Sequence, residues 1–168
     1  MNAPVTIETR KDGDWFLPII PFEKQWEIYD VTCDHIKNSS EPAYIYAGVG
    51  AGKTIMMSMI VKRVQKIAED RGVEQLKVMC LARTGDLVEQ THEQMWEMHA
   101  RNSVFSASLS LKKINYPVVT GSEGTVCRSL NTAFKNIKFD ILIIDECHQV
   151  NYGDPESQYM IIINTLKE

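Results

Sequence analysis

The stretch Ala47-Gly48-Val49-Gly50-Ala51-Gly52-Lys53-Thr54 constrains this 168-residue chain more than any other. Glycines at 48, 50 and 52 remove side chains where backbone amides must point at an anion, and a helix beginning at Lys53 adds the positive end of its dipole. The apolar residues Ala43 to Tyr46 read as a strand that ends at this loop. Strand, glycine loop and helix in that order cradle a chain of phosphates. Gly48, Val49, Gly50, Ala51 and Gly52 supply amides. Lys53 reaches the β- and γ-phosphates as a point charge, and Thr54 holds magnesium through its hydroxyl. Ala47 stands where such a loop commonly opens on glycine, which is tolerable if the residue keeps a β conformation.

A triphosphate with its metal also needs carboxylates. Asp145 and Glu146 follow the apolar run Ile141-Leu142-Ile143-Ile144, which reads as a buried strand delivering two acids at its tip. Adjacent residues on a strand face opposite ways, but where the chain turns both can reach one region. Asp145 is expected to hold magnesium and Glu146 to orient or deprotonate the attacking water. An acidic pair alone is a common surface feature; behind an apolar strand and together with the glycine loop it becomes half of a nucleotide site. Lys53, Asp145 and Glu146 are the expected catalytic residues, with a nucleoside triphosphate and Mg2+ as ligands. His148 reads either as an ordinary polar residue or as a relay between the nucleotide and a second ligand.

The remaining pattern is α/β. Helical spacing runs over 22–37, with Trp26, Tyr29, Cys33 and Ile36 on one face. It recurs over 53–70, 84–99 and 155–166, and a short helix is expected within 121–134. Strands are expected at 76–82, 104–109, 117–120 and 139–144 besides 43–46. Gly72 suits the C-terminal end of the second helix, and Pro155 suits the first position of the last. Alternating strands and helices predict a mostly parallel sheet covered on both faces, a three-layer αβα domain. Residues 1–20 read as a leader and 21–168 as the domain.

Composition excludes several classes. Hydrophobic residues make up 44% and charged residues 24%, a globular balance. The net charge of −4 argues against a strongly basic nucleic-acid coat, although a local basic cleft is compatible with it. Cys33, Cys80, Cys127 and Cys147 form no C-x-x-C pair, so they read as free thiols of a cytoplasmic protein rather than a zinc site. No apolar run approaches the roughly 20 residues of a membrane span.

Other residues carry weaker signals. The amide of Gln25 can pair with N6 and N7 of adenine, but an exposed helix glutamine is the plainer reading. Arg83-Thr84 and Gly121-Ser122 follow strands, where the ends of parallel strands open toward ligands. Their residue types suit phosphate contacts, and equally suit ordinary loops.

Asp145-Glu146-Cys147-His148 resembles the DEAD/DEAH box of superfamily 2 helicases in its D-E-C-H form. The segment Leu81-Ala82-Arg83-Thr84-Gly85-Asp86-Leu87-Val88-Glu89-Gln90 is similar to the Ia segment of that family. Val118-Val119-Thr120-Gly121-Ser122, continuing to Ser129-Leu130, is similar to its Ib region, and Gln25 with Glu27 and Asp30 to its adenine-reading helix. The likeness is greatest to the RadD-like branch, near the type III restriction subunits and UvrB, and covers roughly residues 22–166.

The resemblance implies a RecA-like first motor domain that couples ATP hydrolysis to movement on DNA. It implies DNA contacts at Arg83, Thr84, Gln90, Gly121 and Ser122, a coupling role for His148, and adenine contact by Gln25. The sequence departs from the family by lacking the usual Arg-Pro-Tyr lead-in to Gln25, the S-A-T coupling segment and the second motor domain. Loss of an arginine supplied by such a domain costs on the order of 10³–10⁵ in rate. The isolated chain is therefore expected to bind ATP yet turn it over weakly, and to need a second RecA-like domain or a partner. The rival expectation is a non-enzymatic helicase-derived module that binds nucleic acid or caps a partner helicase. A stand-alone phosphotransferase or signalling NTPase has no use for the Ia-like and Ib-like segments.

Overall fold

A computed structural model describes residues 18–167 apart from 20 and 49, so nearly all of the expected leader lies outside the described residues. Five helices and five strands follow in order: α1 (Glu23–Asn38), α2 (Lys53–Arg71), β1 (Val78–Ala82), α3 (Gly85–Glu97), β2 (Ser103–Ser106), β3 (Leu111–Lys112), β4 (Val118–Ser122), α4 (Glu123–Ser129), β5 (Ile141–Ile144) and α5 (Gln158–Lys167). The sheet order is β3-β2-β4-β1-β5. All pairings are parallel except the hairpin between β2 and the short β3.

Strand β1 explains the three layers. Its five residues, Val78-Met79-Cys80-Leu81-Ala82, are all buried, the continuous apolar run expected of a strand covered on both faces. Met79 and Leu81 face a core built with Val126 of α4 and Ile162 of α5. Val78 and Cys80 face the other way, toward Met57, Val61 and Val64 of α2 and Met95 of α3. Helix α1 packs outside α2, where Trp26 and Tyr29 meet Met59, Ile60 and Met98. The expected three-layer αβα architecture with a mostly parallel sheet is the observed one.

Local chemistry sets the ends of the elements. Gly72 closes α2 at φ 61°, a left-handed conformation that favours glycine. Thr84 caps α3, its hydroxyl oxygen accepting from the Leu87 amide. The strand expected over 104–109 stops at Ser106, because residues 107–110 turn back into β3, with the Ser110 amide donating to the Ala107 carbonyl. Helix α5 begins at Gln158, later than Pro155. Ser157 takes the capping place there, its hydroxyl oxygen accepting from the Met160 amide and its carbonyl from that of Ile161.

One expected strand is corrected. Residues 43–46 join no ladder, and Tyr44, Ile45 and Tyr46 are 63%, 42% and 97% exposed. Apolar composition satisfies strand propensity but does not supply a neighbour. Among the described residues β5 pairs only with β1. The segment approaches the turn beyond β5 through the ring of Tyr44, 6.2 Å from that of Tyr152, rather than lying along the strand.

Two substitutions distinguish this arrangement from one with 43–46 in the core. Leu81→Ala is expected to cost about 2–5 kcal/mol, whereas Tyr46→Ser should change stability by less than about 0.5 kcal/mol. Urea unfolding of both variants measures the difference; a large cost for Tyr46→Ser would return residues 43–46 to the core.

Candidate functional site

The glycine loop enters α2 through two residues in left-handed conformations, Gly50 at φ 78° and Gly52 at φ 75°. At Gly52 a Cβ would also stand 2.3 Å from Nε2 of Gln25, so both backbone conformation and space require glycine. Gly52 caps α2 without a side-chain bond, which leaves the first amides of the helix directed outward as donors. Val49 lies outside the described residues.

Gln25 is 4% exposed, and both ends of its amide are engaged. Its Nε2 donates to the Ala51 carbonyl at 3.0 Å, and its Oε1 accepts from the Phe22 amide at 2.9 Å. The second bond is one half of a capping box at the start of α1; Phe22 has no side-chain acceptor for the other half. Gln25 thus braces the glycine loop from behind, against α1.

On the opposite side lies the end of β5. The Asp145 amide donates to the Leu81 carbonyl at 3.0 Å, extending the β1–β5 ladder by one rung. Glu146 then takes φ 53°, a left-handed conformation uncommon for a residue with a Cβ. Strain of this kind costs on the order of 1–3 kcal/mol and gathers at functional sites. Here it turns the chain sharply, and the Glu146 amide donates to Oδ1 of Asp145. Two adjacent acids that a strand would send to opposite faces are therefore held around one turn.

That turn meets the glycine loop. Lys53 Nζ donates to Oε1 of Glu146 at 2.5 Å, across 93 residues of sequence. The Lys53 ammonium holds the Glu146 carboxyl below the usual carboxylate range, and the same bond raises the lysine. His148 Nδ1 stands 3.2 Å from the other Glu146 oxygen. Glu146 is thus bracketed by two nitrogens, which can compete for it.

The donor set fits a polyphosphate with a divalent ion. Lys53 and the first amides of α2 offer positive charge. Thr54 and Asp145 offer a hydroxyl and a carboxylate. Among the described residues no group of three or more His, Cys, Asp and Glu side chains could hold a metal by itself.

The Ia-like and Ib-like residues separate into exposed and buried groups. Arg83, Thr84 and Gln90 lie at the surface, and Arg83 Nη1 donates to Oε1 of Gln149 at 2.6 Å. Gly121 and Ser122 are buried within β4. A Cβ at Gly121 would stand 2.5 Å from Cγ2 of Val126, so this glycine lets α4 approach its strand. The Ser122 hydroxyl donates to Oγ1 of Thr125. Sequence reading missed Gln149, which with Arg83, Glu123, Asn151, Ser157 and Tyr159 lines a cavity of about 130 Å³. Its place directly after the D-E-C-H box was the available signal.

Fold and site together define a three-layer α/β domain in which a glycine-rich loop at a helix start meets an acidic strand end. The chain belongs to the family described as type III restriction enzyme, res subunit, whose model matches residues 18–168. Among solved structures it is similar to the UvsW helicase from bacteriophage T4, with TM-score 0.64 and 16% identity over 88% of this chain and 49% of that one. This likeness is one of fold, and the chain spans about half the length of that helicase. A weaker likeness, TM-score 0.41 with 21% identity, covers 73% of this chain and 12% of a nuclease-deletion mutant of the Type ISP restriction-modification enzyme LlaGI, solved with a DNA substrate mimic. No curated protein sequence matches closely enough to count as a relative.

Lys53→Ala is expected to remove binding of a fluorescent ATP analogue while changing unfolding free energy by less than about 1 kcal/mol, because the ion pair it breaks is partly solvated. Fluorescence titration and urea unfolding give the two numbers. Unchanged analogue affinity would take Lys53 out of the site.

Proposed function

We propose that the chain is the ATP-binding half of a DNA helicase or translocase motor. The contact between Lys53 and Glu146 carries the reading, because it joins the phosphate-type loop to the acidic strand end in one place. In this reading Gly48, Val49, Gly50, Ala51 and Gly52 direct amides at the phosphates, and Lys53 neutralises them. Thr54 and Asp145 hold magnesium, whose charge offsets that of the phosphates. Glu146 positions the water and accepts its proton, which requires the carboxylate to leave Lys53. His148, beside the second Glu146 oxygen, links that event to the surface beyond. Gln25 holds the loop in shape and borders the place where a base would lie.

Arg83, Thr84 and Gln90 are the DNA-facing side chains of this reading, with Gly121 and Ser122 shaping the strand end behind them. Full turnover requires a second RecA-like domain or a partner protein supplying an arginine. The proposed setting is cytoplasmic, in keeping with four free cysteines. Among the described residues no helix is long and apolar enough to cross a membrane.

Two experiments test the reading. Glu146→Gln keeps the size of the side chain and loses the base. It should retain MgATP binding and lose hydrolysis when a second motor domain is supplied; loss of binding would instead make Glu146 a structural or metal residue. Single-stranded DNA should bind weakly and with a shallow salt slope, about −0.7 per phosphate contact. Fluorescence anisotropy at several salt concentrations measures it. Binding indifferent to salt, or untouched by Arg83→Ala, would remove this surface from the assignment.

A further inference from the structure

The bond between Arg83 and Gln149 joins two surfaces with different tasks in the proposed function, on which this inference rests. Arg83 follows β1 and belongs to the DNA-facing surface. Gln149 closes the single 3-10 turn Cys147–Gln149 that Glu146 caps. The Gln149 amide donates to the Glu146 carbonyl at 3.0 Å, so the two residues are tied across that turn. Asp145, immediately before it, is anchored to Leu81, two residues before Arg83. Both ends of the Arg83–Gln149 bond therefore hang from the same rung of the β1–β5 ladder. Arg83 is fixed near that rung. Gln149 rides on a turn whose cap is held by Lys53.

We propose that Gln149 is a positioning residue that couples the nucleotide site to the DNA surface through Arg83. While Lys53 holds Glu146, the turn sets Gln149 Oε1 at 2.6 Å from Nη1 of Arg83 and occupies one of its donors. Phosphates that draw Lys53 away remove one anchor of the Glu146 carboxylate and leave His148 at its second oxygen. The turn then shifts, Gln149 withdraws, and the Nη1 donor it held turns to a backbone phosphate, in competition with the Glu123 carboxylate that lines the same cavity. The bond is exposed, so its effect is modest, about twofold to fivefold in DNA affinity. Linkage requires DNA to change nucleotide affinity by the same factor.

The test uses the full chain and a labelled single-stranded oligothymidine, with and without magnesium and a non-hydrolysable ATP analogue. In the wild type the analogue should raise DNA affinity by about twofold to fivefold. Gln149→Ala should bind DNA without nucleotide as tightly as the wild type does with it, and should no longer respond to the analogue. Gln149→Glu, which offers Arg83 a carboxylate, should shift affinity the other way. Melting curves establish that both variants are folded. An unchanged nucleotide response in Gln149→Ala, or a loss of DNA affinity in that variant, would overturn the coupling while leaving Arg83 a DNA contact. If Arg83→Ala does not weaken DNA binding, the reading of that surface fails and the coupling with it.

Discussion

The contact between Lys53 and Glu146 is the constraint on which the site depends. It spans 93 residues and closes at 2.5 Å, so everything between the two residues must bring the start of α2 and the end of β5 to the same side of the sheet. The topology does this with parallel strands. β1 and β5 run side by side, which places both C-terminal ends on one edge of the domain, and α2 packs on the face behind them. Where strand ends gather, loops from distant parts of the sequence meet. Arg83, Asp145 and Glu146 are neighbours for that reason.

Two local devices refine the placement. Gly52 lets the loop close over Gln25, and the left-handed conformation of Glu146 brings adjacent acids around one turn. The first is a choice of residue with no side chain; the second is a strained backbone held by its bonds to Lys53 and Asp145. Rigidity thus comes from the sheet and from α1 behind the loop, whereas the charged residues sit on short connections. A site of this construction can exchange partners for Glu146 without disturbing the core.

Much of this was legible in the sequence. The run Ile141 to Ile144 announced a strand, the glycine loop fixed the start of α2 at Lys53, and alternation of elements gave the layers. What failed did so for want of non-local information. Residues 43–46 have strand composition, yet pairing needs a neighbour and composition does not name one. Pro155 suits a helix start, but Ser157 competes successfully by supplying a hydroxyl and a carbonyl to the first turn of α5. Gly121 reads as a loop glycine until Val126 is seen against it, and the amide of Gln25 reads as free until the Ala51 carbonyl is seen to accept from it. The Arg83–Gln149 bond spans 66 residues, and no local pattern encodes it.

Among the described residues one edge of β5 is unpaired, and that affects how the domain behaves at concentration. Its four residues, Ile-Leu-Ile-Ile, are only half buried, and beyond them the ring of Tyr44 lies 6.2 Å from that of Tyr152. A strand edge of this composition is a template for another strand. Charge offers little protection, since a net −4 spread over the whole domain gives weak mutual repulsion at physiological salt. An edge of this kind is protected by a lysine placed on it rather than by a better-packed interior.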